Sequence, residues 1–270
     1  MEKYKKIRKT MYSVQLTRWS HLINIKSPYT LVKAVYYMET ASLFLFITQK
    51  IIKSPNFITF LYALTGVMGA FLLHSSQEAL FYIGIFMVFT KGTFDWADGP
   101  LARRLNKTSF LGHALDTYGA HVSDSAFRVA FIYYTFGYFP ELMYLFPILA
   151  FTLLVTDFRL YSDFQYLKVA TDTSKKQIRN NIFDADIRSG NMQKNKLKKW
   201  YFRYTSFLDS RARSIDSLLL VLLIDSIFSY DLSILLLTLS VLIISRAIIM
   251  YVAGVYFAFN VYREREVIDG

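Results

Sequence analysis

The 270-residue chain contains no cysteine, which excludes a disulfide framework, a thiolate metal site and a catalytic thiol, and leaves its redox compartment without a trace. Internal repeats and low-complexity tracts are absent as well. The opening Met-Glu-Lys-Tyr-Lys-Lys lacks the short apolar core and small-residue cleavage site of a signal peptide, so the first helices are expected to insert uncleaved. Acidic residues are few: 20 Asp and Glu stand against 31 Lys and Arg. Any place where carboxylates gather is therefore informative.

What the chain has in abundance is apolar. Hydrophobic residues make up 54% and aromatic residues 17%, collected into runs of about 17–25 residues, the length an α-helix needs to cross a bilayer. A soluble all-α core would interleave its apolar residues at helical period, whereas 232–250 has almost no polar face. The expected fold class is an all-α polytopic membrane protein. Six transmembrane helices are expected near 56–74, 79–94, 109–135, 141–160, 214–229 and 232–259, with an N-terminal interfacial helix before them.

Charge placement supports the count, because short cytoplasmic connections hold Lys and Arg while short outside ones do not. Residues 1–53 carry ten basic and two acidic groups, 95–108 carries Arg103, Arg104 and Lys107, and 163–213 carries twelve basic and five acidic groups. Arg263 and Arg265 close the chain, while 75–78, 136–140 and 230–231 contain neither Lys nor Arg. The alternation places both termini in the cytoplasm. The net charge of +11 then reads as topology plus attraction to anionic headgroups, and nucleic acid is not an expected partner.

Residues 1–53 are broken by Lys26, Pro28 and Lys33, and no window there reads as a convincing span. Over 36–52, Leu43, Phe46 and Ile47 share one side with Glu39 and Lys50 near the ends, which suits a helix lying in the interface. A short seventh span at 34–49 is the rival reading, and it would put the N-terminus outside. The expected organisation is an N-terminal cytoplasmic and interfacial region at 1–53, a six-helix domain at 54–262 with a polar cytoplasmic insertion at about 163–213, and a tail at 263–270.

The scarce acids cluster at 95–116: Asp95, two residues, Asp98-Gly99, two residues, Ala102-Arg103, eight residues, Gly112, three residues, Asp116. Asp95 and Asp98 share a helix face at the cytoplasmic end of the second span, and Asp116 lies about two turns inside the third. A carboxylate at that depth needs a polar cavity, a counter-charge or a metal. Oxygen ligands without His or Cys point to Mg²⁺ or Mn²⁺, as one ion or as two bridged ions of the kind that stabilise attacking and leaving oxygens in phosphoryl displacement. Gly99 and Ala102 let backbone approach a phosphate-bearing ligand, Gly112 lets two helices close around it, and Arg103 can engage phosphate through its fork.

This segment resembles the signature of the CDP-alcohol phosphatidyltransferases, Asp-x2-Asp-Gly-x2-Ala-Arg-x8-Gly-x3-Asp-x3-Asp, of which seven of eight fixed positions are met. Ser54-Pro-Asn56-Phe-Ile-Thr59 is similar to the segment that commonly opens the family's first span. The resemblance implies transfer of a phosphoalcohol from a CDP-alcohol donor, such as CDP-diacylglycerol, onto an acceptor alcohol, releasing CMP, by a membrane-embedded homodimer among lipids. It implies two divalent cations held by Asp95, Asp98 and Asp116, and a CDP site at Gly99, Ala102 and Arg103, packed by Gly112 and reached by Asn56 and Thr59. The family's fourth aspartate, a metal contact and the base that takes the acceptor's proton, is replaced by Ala120.

Three readings of Ala120 stay open. The alanine is an introduced inactivating change; or it is natural and the proton passes to His121 or Asp124, about 140° and 80° round the helix from Asp116; or the chain binds CDP-alcohol and lipid without turnover. A transporter is the least favoured class, since the ionisable groups cluster toward one side. Among other polar residues, Asp124 and Arg128 at i, i+4 are expected to form a local ion pair or serve the cavity. Asp225 and Arg246 are expected to pair across the last two helices. Asp157 and Arg159 mark an interface, Arg211 and Arg213 act as anchors or a phosphate clamp, and His113 is expected to point away from Asp116, as a satisfied or headgroup-facing histidine.

Overall fold

The computed structural model describes residues 2–19, 28–48, 50–157, 211–228 and 231–269. Most of the expected polar insertion, and the side chains of Asp157, Arg159, Arg211 and Arg213, lie outside the described residues. All regular elements among the described residues are helical: α1 (Glu2–Trp19), α2 (Pro28–Thr48), α3 (Pro55–Leu72), α4 (Glu78–Thr90), α5 (Gly92–Arg104), α6 (Phe110–Phe136), a 3₁₀ turn (Pro140–Leu145), α7 (Phe146–Asp157), α8 (Arg211–Phe228) and α9 (Ser233–Asp269).

Two of these, over Tyr29–Thr48 and Pro55–Leu72, are long and apolar enough by length and composition to cross a membrane, while Pro140–Thr156 and Ser233–Ile249 are shorter apolar helices. The first of these departs from the sequence reading, which started an interfacial helix at 36. Pro28 does not break the helix but opens it, since its fixed φ and missing N–H suit the first turn. Lys33 does not break it either. Its ammonium lies 5.4 Å from the centre of the Tyr37 ring and 5.9 Å from that of Phe89, and the aromatic faces offset the loss of water around the charge.

The chain forms two compact units, 1–130 and 131–270. In the first, α3 packs on α4 and α5, and α2 packs on α1 and α5. Where lipid is as apolar as the side chains, such helices are held by close fit rather than by exclusion of water. The α3/α4 crossing shows it: a Cβ added to Gly84 would stand 2.8 Å from the Gly69 carbonyl oxygen. Met11, Met38, Ala41, Ile58, Ala97 and Leu101 form a buried cluster that ties α1, α2, α3 and α5 together.

Between α4 and α5 the ladder is interrupted without a change of hand. Lys91 keeps right-handed helical angles, φ −50° and ψ −35°, and its carbonyl accepts from Phe94 at 3.0 Å, a three-residue step. The end of α5 is a Schellman turn: Asn106 takes φ 53°, Lys107 N–H donates to the Ala102 carbonyl at 2.8 Å and Asn106 N–H to that of Arg103 at 3.3 Å. Asn is among the few residues that tolerate this left-handed position. Ser109 then caps α6, its hydroxyl accepting the Gly112 N–H at 3.0 Å.

In the second unit α7 packs on α9. Asp225, expected to pair with Arg246, takes hydrogen bonds from Tyr134 at 2.7 Å and Tyr138 at 2.6 Å. Ser240 of α9 donates to the Thr135 hydroxyl at 3.0 Å. The two tyrosine hydroxyls give one oxygen of the buried carboxylate its hydrogen bonds.

Candidate functional site

The first unit holds a cavity of about 260 Å³ whose walls come from α1, the start of α3, α5, the turn after it and the start of α6. Helical period explains the convergence. Asp95, Asp98, Gly99 and Ala102 fall at i, i+3, i+4 and i+7 on one face of α5, Gly112 and Asp116 are one turn apart on α6, and Asn56 and Thr59 are neighbours on α3. All of these and Arg103 line the cavity. The nine residues that the sequence reading gathered for cation and nucleotide thus share one cavity.

Individual contacts fix their orientation. The Thr59 hydroxyl donates to Asp98 Oδ2 at 2.8 Å, anchoring the buried carboxylate to α3. Burial, and then the charges of Asp116 and Asp98, hold the Asp95 carboxyl well above the usual carboxylate range. Burial and then the Asp116 carboxylate push the pKa of Asp98 up to about 7, against the lowering effect of Thr59. At Gly112 an added Cβ would lie 3.2 Å from Asn56 Oδ1, so a side chain there would press α6 off the opening turn of α3.

Among the described residues no three His, Asp or Glu side chains are close enough together to form a metal site as they stand. The donor set nevertheless suits a hard divalent cation. It is all oxygen, three carboxylates border one cavity, and their mutual repulsion is what such an ion relieves.

Other sequence expectations land elsewhere. His121 and Asp124 are buried and are not among the residues that line the cavity. Asp124 Oδ1 accepts from Lys91 Nζ at 2.7 Å, a partner on another segment of the chain, and the same ammonium donates to Ser123 beneath the Tyr62 ring. Ala120 is likewise not on the cavity wall. His113, expected to turn away, lines the cavity, because a three-residue step on a helix leaves two side chains only about 60° apart. Gln15, Trp96, Lys107 and Ser109 also line it without having been singled out. Lys107 and Ser109 had a signal, since they sit inside the motif's spacer. Gln15 had none.

No curated protein and no solved structure matches the chain. Residues 52–180, which carry every cavity-lining residue except Gln15, match the family model of the CDP-alcohol phosphatidyltransferases.

Proposed function

We propose that the protein is an integral membrane enzyme of phospholipid synthesis that transfers a phosphoalcohol from a CDP-alcohol to an acceptor hydroxyl and releases CMP. One observation carries this reading: residues of α3, α5 and α6 that match the family motif line a single cavity. Asp95, Asp98 and Asp116 would hold Mg²⁺ or Mn²⁺, which when bound neutralises the diphosphate and the leaving CMP. Gly99 and Ala102 leave room for the diphosphate against α5, and Arg103 grips it through paired N–H donors. The acceptor oxygen forms a bond to the phosphorus bearing the alcohol, the bond from that phosphorus to the bridging oxygen breaks, and CMP departs with the electron pair. The acceptor's proton needs a base. With alanine at 120 and Asp124 engaged by Lys91, His113 is the imidazole on the cavity wall, and we assign it that role ahead of His121 and Asp124.

The remaining features follow the sequence reading. Six spans with both termini in the cytoplasm put the cavity at the cytoplasmic ends of the helices, with acyl chains left in lipid, and the assembly is a homodimer. The test is CMP release from a panel of CDP-alcohols by purified protein. Turnover is expected with Mg²⁺ or Mn²⁺ and none with chelator. Ala120 also favours a second reading, a protein that binds CDP-alcohol without turning it over. CDP-dependent thermal stabilisation without CMP release, with turnover appearing in Ala120→Asp, would select it.

A further inference from the structure

Gln15 sits on α1, far in sequence from the motif and outside the segment that matches the family, yet it lines the same cavity as the three aspartates. It is 4% exposed, and its Oε1 is buried with no hydrogen-bond partner. Buried amide oxygens are nearly always satisfied. An unsatisfied one on a residue that lines a cavity is met when the amide turns toward a donor that enters that cavity.

The setting of α1 is not accidental packing. Tyr4, Arg8, Met11 and Gln15 recur at steps of four, three and four, which is one face of a helix. Arg8 Nε donates to both oxygens of Glu39 on α2, at 2.7 and 2.9 Å. Tyr12 donates to the same carboxylate at 2.5 Å and Tyr4 at 3.2 Å, and Met11 is 1% exposed in the cluster beneath. One carboxylate with three partners fixes the helix in register, and the next turn along its inner face delivers Gln15 to the cavity. Lys5, Lys6 and Lys9 stay exposed on the other side.

We propose that Gln15 is a nucleotide-binding residue, its carboxamide oxygen accepting a hydrogen bond from the nucleoside of the bound CDP group. The chemistry selects that part of the ligand. Diphosphate oxygens are acceptors and belong with Arg103, Lys107 and the cation, whereas an amide oxygen needs an N–H or O–H, which the cytosine amino group and the ribose hydroxyls supply. The soft terminal torsion of glutamine lets the oxygen turn toward either. The N-terminal helix is then a wall of the substrate site, and selectivity for the nucleoside is written partly outside the family's motif.

The inference rests on the proposed CDP-binding function, and the experiment separates the two. Calorimetric titration of CDP with Mg²⁺ into detergent-purified protein is run on the parent chain, Gln15→Met and Gln15→Asn, beside thermal unfolding of each without ligand. A parent chain that binds no CDP overturns the functional reading and this inference with it. If the parent binds, Gln15→Met is expected to weaken CDP about tenfold while the ligand-free protein melts no lower, because an unpaired buried oxygen has been removed. Gln15→Asn, which keeps the amide but withdraws it by one methylene, is expected to lose CDP affinity as well. Unchanged CDP affinity in both variants overturns the inference alone. UDP distinguishes the donor: loss of CDP-over-UDP preference in Gln15→Met assigns the cytosine amino group, and parallel loss of both assigns the ribose.

Discussion

Helix α6 carries two aspartates eight residues apart, and their surroundings are opposites. Asp124 is closed: it is buried, paired with Lys91 at 2.7 Å, and covered by Ser123 and Tyr62 around the same ammonium. Asp116 is open: it borders the cavity with Asp95 and Asp98, and its charge acts on both of those carboxylates. The protein pairs the acid one to one with its own ammonium where it needs a joint, and gathers three acids around one cavity where it needs a site. A buried charge costs several kcal/mol unless it is compensated, so the difference between the two places is also a difference in what each can be used for.

The largest effect is expected from breaking the closed member. Lys91→Met strands Asp124 and Ser123 in the interior and should destabilise the protein by about 3–5 kcal/mol, read from unfolding in detergent. Adding Asp124→Leu to it should recover most of that loss. A double variant as unstable as the single would mean that the pair does not act as a unit. On the open member, Asp98→Asn should leave folding intact and lower CMP release by about 10³, the equivalent of roughly 4 kcal/mol of lost charge stabilisation. Undiminished turnover would remove Asp98 from the set.

Smaller substitutions sharpen the contrast. Gly66 lies against the closed cluster, where an added Cβ would run into Ser123 and come within 3.1 Å of the Lys91 side chain. Gly66→Ala should therefore cost about 1–3 kcal/mol of stability, with CDP affinity unchanged. Thr59→Val removes the hydroxyl that orients Asp98 and should weaken Mg²⁺ binding about tenfold, seen by calorimetric titration of the metal, with little change in melting. If Thr59→Val unfolds the protein instead, that hydrogen bond belongs to the scaffold and the open site is less independent than drawn.

The motif was legible because its spacings are helical. A face of α5 at i, i+3, i+4 and i+7 can be counted along the chain, and so can one turn of α6 from Gly112 to Asp116. What could not be counted is which distant segment covers that face. Gln15 is a polar residue in a basic stretch, its helical period says nothing of what that face packs on, and the Glu39 clamp shows where α1 goes. Lys91 gave no sign either, since a lysine at the end of an apolar run reads as a boundary charge until Asp124 is seen opposite it. The start of α2 was misplaced because Lys33 looks like a breaker in one dimension, and its ring partners, Tyr37 and Phe89, are 4 and 56 residues away in sequence.

The hairpin between α5 and α6 has no slack. Of the eight residues separating Arg103 from Gly112, Arg104 finishes one helix, 105–108 make the reversal, Ser109 holds the start of the next, and 110–111 are already wound into it. Inserting or deleting a single residue would rotate everything downstream by about 100° and swing Asp116 off the wall it shares with Asp95. The length of that spacer is thus a gauge, as much a part of the chemistry as the side chains on either side, and tolerance to change should be lowest where the residues themselves look least remarkable in type.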